Sequence, residues 1–220
     1  MENAWMNVFE KYIKGQENFV LGKHLSALLQ RDPKAMASFF SKYKFIFQMV
    51  GASKNVLEVG CNEGYGCFML SKNATHVVGI DFDKDAIEYA QKAFGADTID
   101  FICDDFLEHD FKGEKFDFIV STDVIEHIEQ AKEDDFLKQI CKNLTEHGVA
   151  IVSTPNITAF EYASAPSREG HINNYAHERL KKLFDSYFHN TFLFSKNDEM
   201  VHTGFYPMAH HLIIMAVGPR

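Results

Sequence analysis

The chain has 220 residues, of which 46% are hydrophobic and 24% charged, and its formal net charge is −9. This length suits one domain with a sizeable core, and the apolar content excludes an intrinsically disordered chain. The negative charge argues against a nucleic-acid partner, because broad contact with a phosphate backbone needs clustered Lys and Arg. A small anionic substrate held by a local basic residue remains compatible with it.

Two features of the sequence indicate the cellular compartment of the protein. No stretch approaches the roughly 18 apolar residues of a membrane span, and the N-terminus lacks the basic and apolar regions of a secretory signal. The four cysteines lack the CxxC spacing of a zinc knuckle and do not resemble a disulfide framework. We therefore expect a soluble protein of the reducing cytoplasm with no membrane partner.

Residues 1–52 show the apolar spacing of helices. Phe39, Phe40, Tyr43 and Phe47 recur on one helical face. We interpret this N-terminal segment as a packing and capping unit, and a lid over a bound ligand is the functional alternative.

Residues 53–155 alternate short apolar runs with amphipathic stretches. The predicted strands are 55–59, 76–80, 99–102, 116–120 and 149–153. The predicted helices lie around 64–72, 84–94 and 132–144. This alternation indicates βαβ units and hence an α/β fold with a doubly wound, mostly parallel sheet.

Residues 156–220 are predicted to complete the same domain, which would then span 1–220. A polar insertion runs to about residue 174, a helix follows near 176–187, and the runs 191–194 and 211–217 form a late hairpin. The completed sheet would have seven strands.

The turn after the first predicted strand is rich in glycine, with Gly60, Gly64 and Gly66 within nine residues. Ligands of doubly wound sheets bind at the first βα turn, where glycine lets the backbone approach them closely. The spacing does not fit the G-x-G-x-x-G of dinucleotide-binding proteins, which disfavours an NAD-dependent oxidoreductase.

Glu58, Gly60, Asn62 and Gly64 match an acidic residue followed by G-x-G-x-G. This is the first motif of the class I S-adenosylmethionine-dependent methyltransferases, which residues 50–155 resemble. Asn62 replaces the middle glycine, and Asn tolerates unusual backbone angles. The resemblance implies S-adenosylmethionine as cofactor, with Glu58 near its amino group and the glycine-rich backbone near its methionine part.

Further cofactor contacts are predicted after the second and third strands. Asp81 ends the second strand, where its two carboxylate oxygens can accept hydrogen bonds from both ribose hydroxyls. By the resemblance, Asp104 would accept the adenine amino group, while Phe82 and Phe106 could sandwich the ring. The remaining expected cofactor contacts are Asp105 and Ser121.

Asp123, Glu126 and His127 follow the fourth strand at positions i, i+3 and i+4, which share one face on a helical turn. His127 could act as a general base oriented by Glu126. Alternatively, the three side chains could bind Mg²⁺, Mn²⁺, Fe²⁺ or Zn²⁺, which would lower the pKa of a substrate hydroxyl. A third interpretation is that they only cap a helix and shape the pocket.

This segment resembles the E-x-x-E-H motif of metal-dependent terminal-ribose methyltransferases acting on small RNAs. It is also similar to the corresponding stretch of ubiquinone-pathway O-methyltransferases. Asp123 stands where those families carry Glu. We expect the fourth metal ligand to be His171 rather than His177, because Glu169 and Gly170 give His171 a flexible approach to the site.

The segments 156–175 and 197–210 are long enough to form an acceptor pocket. Their candidate side chains are Tyr162, Arg168, His171, Tyr175, His202, Tyr206 and His210. Arg168 is the candidate for a phosphate or carboxylate on the substrate.

The sequence therefore predicts O-methylation of a small polar acceptor, such as a sugar, a nucleotide-linked sugar or a phosphorylated metabolite. The alternatives are N-methylation of an amino sugar, 2′-O-methylation of RNA ribose, and a nucleotide-binding regulatory protein with the same fold. The oligomeric state is left open.

Overall fold

The structure is a computed structural model, and it describes residues 4–14, 19–53 and 55–220. Three helices come first: α1 (Ala4–Ile13), α2 (Lys23–Arg31) and α3 (Pro33–Val50). Helix α3 begins with proline, and the Asp32 carboxylate accepts a hydrogen bond from the Lys34 amide at 3.2 Å. Both features favour a helix start, because the first helical amides have no partner within the helix.

Alternating strands and helices follow. They are β1 (Asn55–Val59), α4 (Tyr65–Leu70), β2 (His76–Asp81), α5 (Lys84–Phe94), β3 (Ile99–Cys103), β4 (Phe116–Thr122), α6 (Glu133–Asn143) and β5 (Leu144–Pro155). The C-terminal part contains α7 (Ala165–Gly170), α8 (His177–Asp185), β6 (Phe188–Asn197), β7 (Met200–His202) and β8 (His211–Pro219). Short 3₁₀ turns lie at Ile125–His127, Gln130–Lys132, Ile157–Tyr162 and Tyr206–Met208.

The strands form one sheet in the order β3-β2-β1-β4-β5-β8-β6-β7. Strands β1 to β5 are parallel, whereas β8 is antiparallel to both β5 and β6. The order reverses between β1 and β4, so the carboxyl ends of these two strands flank the switch point at which such sheets bind ligands. The predicted doubly wound, mostly parallel sheet is confirmed.

Two details differ from the prediction. The sheet has eight strands rather than seven, because the three-residue β7 extends its edge, and so short a run carries no recognisable strand pattern. Strand β5 begins at Leu144 instead of 149. Its first half contains the polar residues Thr145, Glu146 and His147, so the apolar pattern did not predict a strand there.

Each face of the sheet is covered by helices. Val56 and Leu57 are both fully buried and belong to different apolar clusters, because successive strand side chains point to opposite faces. One cluster packs against α3, α4 and α5, and the other against α6 and α8. Among the helices of the described ranges, none is long and apolar enough to cross a membrane.

Candidate cofactor and acceptor site

The glycine-rich turn leaves β1 at the switch point and needs its glycines. Gly60 and Gly64 have φ angles of 72° and 77°, in the left-handed region. A Cβ on Gly60 would lie 2.3 Å from Val124, and one on Gly64 would lie 2.7 Å from the Phe101 ring. Asn62 also has a positive φ, 47°, which Asn adopts more readily than most residues. This explains how the turn keeps its shape without the middle glycine of the motif.

Asp81 at the end of β2 fixes the turn. Its Oδ2 accepts a hydrogen bond from the Asn62 amide at 2.8 Å, and its Oδ1 accepts one from the Asp83 amide at 2.9 Å. A carboxylate offers about four acceptor positions, so these two bonds leave capacity for ribose hydroxyls. Asp81 therefore shapes the turn and still presents acceptors to a ligand.

Two adjoining cavities lie at this edge of the sheet, with volumes of about 270 and 720 Å³. They share Gly60, Asp81, Phe82, Val124 and His127. The smaller cavity continues past the ends of β2 and β3, and the larger one reaches α2 and α3. Residues lining only the larger cavity include His24, Leu28, Arg31, Phe39, Tyr43, Thr122 and Asp123.

The residues predicted to contact adenine line the smaller cavity. Asp104 is exposed, and its Oδ2 lies 2.7 Å from Nδ1 of His109, a hydrogen bond that lowers the pKa of Asp104. Asp105 accepts the Leu107 amide at 2.9 Å and so forms part of the turn itself. Both carboxylates thus have local partners as well as access to the cavity.

The two predicted stacking rings differ in their surroundings. Phe82 is 82% exposed at the rim, whereas Phe106 is 7% exposed and packs against Phe111 and Phe136 in the core. The ring of Phe106 is therefore held in place, and that of Phe82 is free to cover a ligand. The sandwich itself stays a prediction.

Glu58 and Ser121 line neither of the cavities formed by the described residues. Glu58 is fully buried beneath the turn, where its Oε1 accepts a hydrogen bond from the Tyr43 hydroxyl at 2.6 Å. Burial raises the pKa of Glu58 to about 7. The geometry makes Glu58 an anchor for α3, and its predicted contact with the amino group of the cofactor stays a prediction. Ser121 is also fully buried, and its neighbour Thr122 lines the larger cavity instead.

The expectation that Asp123 shares a helical face with Glu126 and His127 is wrong. Asp123 has a φ of 56°, which turns the chain between β4 and the 3₁₀ turn Ile125–His127. Its carboxylate bonds to the ammonium of Lys42, and Ser153 Oγ donates to it at 3.3 Å. Although burial opposes ionisation, the Lys42 ammonium lowers the pKa of Asp123 to about 2.

A second buried lysine lies behind this pair. Lys196 is fully buried and donates from Nζ to Ser38 Oγ at 2.6 Å. Burial lowers its pKa to about 8, and the Lys42 ammonium acts in the same direction. Burial also lowers the pKa of His211 to about 3. The wall behind Asp123 is therefore rich in basic groups.

Glu126, His127 and His171 come together as a group. Each offers a possible metal-ligand atom, and these atoms lie within 4.8 Å of one another. Glu126 is buried, and its Oε2 accepts a hydrogen bond from Thr154 at 3.1 Å, whereas its Oε1 has no partner. Nδ1 of His171 is likewise buried without a partner. Burial raises the pKa of Glu126 to about 8, and the Asp123 charge adds to the rise.

The main chain fixes this group. The Ile172 and Asn173 amides both donate to the carbonyl of Glu126 at 3.0 Å, which places His171 beside the 3₁₀ turn. Nδ1 of His127 lies 2.9 Å from the carbonyl of Gly170. The structure thus assembles three of the four predicted metal ligands, and Asp123 is outside the group. His177 instead stacks on Tyr206, with ring centroids 5.1 Å apart.

The other predicted acceptor residues do not line either cavity. Tyr175 is fully buried and donates to Glu133 at 2.9 Å, and Tyr206 donates to the Leu193 carbonyl at 3.1 Å. Arg168 donates to the carbonyl of Ala163. The remaining members of this set are Tyr162, His202 and His210. The segment 197–210 joins β6, β7 and β8, and it packs against the end of β5, where the Asn156 side chain donates to the carbonyls of Tyr206 and Ala209.

The N-terminal helices form a wall of the larger cavity, a role that the sequence analysis gave only as the alternative to packing and capping. His24 and Arg31 on α2 and Phe39 and Tyr43 on α3 face the larger cavity. The helical periodicity of 1–52 was recognisable, but no local motif indicates which face turns toward a ligand.

Comparisons with known proteins agree with this geometry. A family model described as a methyltransferase domain matches residues 56–148. A "Probable S-adenosylmethionine-dependent methyltransferase" of Mycolicibacterium smegmatis is 29% identical over 61% of this chain and 51% of its own length. A ubiquinone biosynthesis O-methyltransferase of Bartonella quintana is 33% identical over 47% of this chain and 42% of its own length. The chain spans about half the length of the curated relatives it matches.

Among solved structures, the N-methyltransferase NodS of Bradyrhizobium japonicum with bound S-adenosylhomocysteine is similar with a TM-score of 0.66. It is 19% identical and covers 87% of this chain and 91% of its own. At this identity the likeness shows the fold, which is the Rossmann-like methyltransferase fold. The predicted resemblance to class I methyltransferases is confirmed.

Proposed function

We propose that this chain methylates an oxygen atom of a small polar acceptor. The methyl group would come from S-adenosylmethionine bound by the methyltransferase domain of residues 56–148. Sugars, nucleotide-linked sugars and phosphorylated metabolites are the acceptor classes we expect. The observation that carries the proposal is the position of His127, which lies on the wall common to both cavities with one ring nitrogen already engaged.

The tautomer of His127 follows from its partner. A carbonyl oxygen only accepts hydrogen bonds, so the contact with Gly170 requires the proton on Nδ1 of the neutral ring. Nε2 then carries the lone pair. In the proposed reaction, the acceptor oxygen attacks the sulfonium methyl, the C–S bond breaks with its electron pair remaining on sulfur, and Nε2 takes the hydroxyl proton.

Asp123 would help to align the acceptor. Its carboxylate lies on the wall of the larger cavity, and the bond to Lys42 keeps it ionised. An ionised carboxylate accepts a strong hydrogen bond from a hydroxyl. The same carboxylate would also attract a protonated amine, so N-methylation of an amino sugar is the second candidate.

Glu126, His127 and His171 fit a divalent metal. The unpartnered buried atoms Oε1 of Glu126 and Nδ1 of His171 support this fit, since buried polar atoms without partners are rare in native proteins. One carboxylate and two imidazoles suit Zn²⁺, Fe²⁺ or Mn²⁺ better than Mg²⁺. When bound, such a metal would engage Nε2 of His127 and would itself lower the pKa of the acceptor hydroxyl, so metal assistance and a His127 base are alternatives.

The proposal is tested by screening fractions of sugars, nucleotides and phosphometabolites for incorporation of the methyl group from labelled S-adenosylmethionine. The chelator-treated protein is assayed with and without Zn²⁺, Mn²⁺ and Mg²⁺. We expect a product whose methyl group is bound to oxygen, and a loss of roughly 10²–10⁴-fold in rate for His127→Ala if the residue is the base. A methylated amine as the sole product would favour the second candidate over the first.

A further inference from the structure

Helix α2 begins without a cap of its own. Gly22, its N-cap residue, has no side chain, and the first turn contains no acidic residue. The first amides are met by Glu63 of the glycine-rich turn instead: the His24 amide donates to Oε1 at 2.6 Å and the Leu25 amide to Oε2 at 3.0 Å. A carboxylate at this position satisfies two unpaired donors and complements the positive end of the helix dipole.

The Glu63 carboxylate packs closely against Gly22. Glu63 is 3% exposed although it carries a carboxylate. A Cβ on Gly22 would lie 2.3 Å from Cδ of Glu63, so that a larger residue would displace the carboxylate. Position 22 therefore has to be glycine for the cap to form.

Other polar contacts connect residues 20–24 with the glycine-rich turn and with the two helices that follow it. The Gly22 amide donates to the Tyr65 hydroxyl at 2.9 Å, and the Tyr89 hydroxyl donates to the Val20 carbonyl at 2.7 Å. The Asn62 side chain is hydrogen-bonded to Nδ1 of His24. Each of these partners lies in the glycine-rich turn or in the adjacent helices α4 and α5.

Polar contacts matter for α2 because it buries little apolar surface. Leu25 is its one buried residue. Docked in this way, α2 brings Leu28 and Arg31 to the wall of the larger cavity. Without the cap, the first amides of α2 would lose their hydrogen-bond acceptors, and the helix would no longer be held beside the cavity.

We propose that Glu63 is a positioning residue for the cofactor: it caps α2, and the capped helix closes the cavity beside the glycine-rich turn. Binding of the cofactor and docking of α2 then stabilise each other, because coupling between two such equilibria is reciprocal. Glu63 acts through α2 and needs no contact of its own with the ligand.

The test uses the full chain, S-adenosylhomocysteine as the probe, calorimetry for affinity, and hydrogen exchange of the amides in α2. In the unmodified protein, we expect the ligand to slow exchange in α2. In Glu63→Gln, which replaces one acceptor oxygen by a donor, exchange in α2 should be faster, and affinity should fall about tenfold. Glu88→Gln is the matched control, since it removes the same charge from an exposed ion pair with Lys84.

Gly22→Ala provides a second variant that disturbs the cap from the helix side and leaves every residue of the glycine-rich turn chemically unchanged. It should reproduce both effects, and it keeps the test valid if Glu63→Gln does not fold. Faster exchange in α2 with unchanged affinity would overturn the proposal, because α2 would then be a packing element only. A loss of affinity in Glu63→Gln without one in Gly22→Ala would also overturn it, since Glu63 would then act on the turn directly.

Discussion

Acidic side chains at this site differ in the groups that stabilise their charge. Asp123 is kept ionised by a lysine, whereas Glu58 has a neutral phenol as its partner. The Lys42 ammonium stabilises the ionised form of Asp123 enough to lower the pKa of that carboxyl. The Tyr43 phenol only partly offsets the cost of burying the charge of Glu58, so the pKa of Glu58 rises. The role of each carboxylate thus depends on its partner more than on its position in the motif.

Glu58 should make the stability of the protein depend on pH. Its folded-state pKa of about 7 lies above the ordinary 4.5, so the folded state holds an extra proton between these values. The free energy of unfolding should therefore fall as the pH rises through this window, by about 3 kcal/mol from this group. Glu58→Gln should remove this contribution to the pH dependence of the free energy of unfolding. Urea unfolding at pH 5, 6, 7 and 8 would measure it. Profiles of the variant and the unmodified protein that run parallel would contradict the prediction, and Glu88→Gln again serves as the control.

At the scale of elements, α3 is hydrogen-bonded directly to strands of the sheet. Its buried face carries Tyr43 and Lys42, which bond to residues at the ends of β1 and β4. An apolar helix face alone would allow small shifts along the sheet, but directional hydrogen bonds fix the helix in one register. The wall of the larger cavity is positioned by these bonds.

Tyr43→Phe should therefore destabilise the protein by more than its small change in volume suggests. The substitution removes the hydrogen bonds to Glu58 and Thr122, so that the buried carboxylate loses its hydroxyl donor. We expect a loss of about 2 kcal/mol in the free energy of unfolding, measured by urea denaturation at pH 8. Tyr162→Phe, at a ring that is 82% exposed, is the control and should change stability little. Equal effects of the two substitutions would show that the buried hydrogen bonds contribute nothing.

At the scale of the whole molecule, the group of Glu126, His127 and His171 is a product of topology. The first two residues follow β4, and the third lies in the insertion after β5. Parallel strands that are neighbours in the sheet bring their carboxyl ends to the same edge, and the main-chain bonds to the Glu126 carbonyl complete the approach.

This assembly predicts specific metal binding. Chelator-treated protein should bind one equivalent of Co²⁺ with visible absorption bands in the range expected for nitrogen and oxygen ligands. His171→Ala should weaken binding at least tenfold, whereas His177→Ala should not, because His177 stacks on Tyr206 outside the group. Equal Co²⁺ binding by these two variants would exclude His171 as a ligand. No binding by the unmodified protein would favour the metal-free base.

The sequence by itself determined the sheet, its switch point and the glycine-rich turn, because each is encoded in a short local pattern of apolar period and glycine spacing. Tertiary structure alone decided the partners of those residues. Lys42 reaches Asp123 across 81 positions, and Glu63 caps a helix that begins 40 positions earlier. Such contacts depend on how elements pack, and a local pattern carries no information about the side chain that will arrive from a distant one. For this reason the glycine-rich turn was recognisable from its own residues, whereas the capped helix, the ion pair of Asp123 and the wall of the larger cavity became visible only in the folded chain.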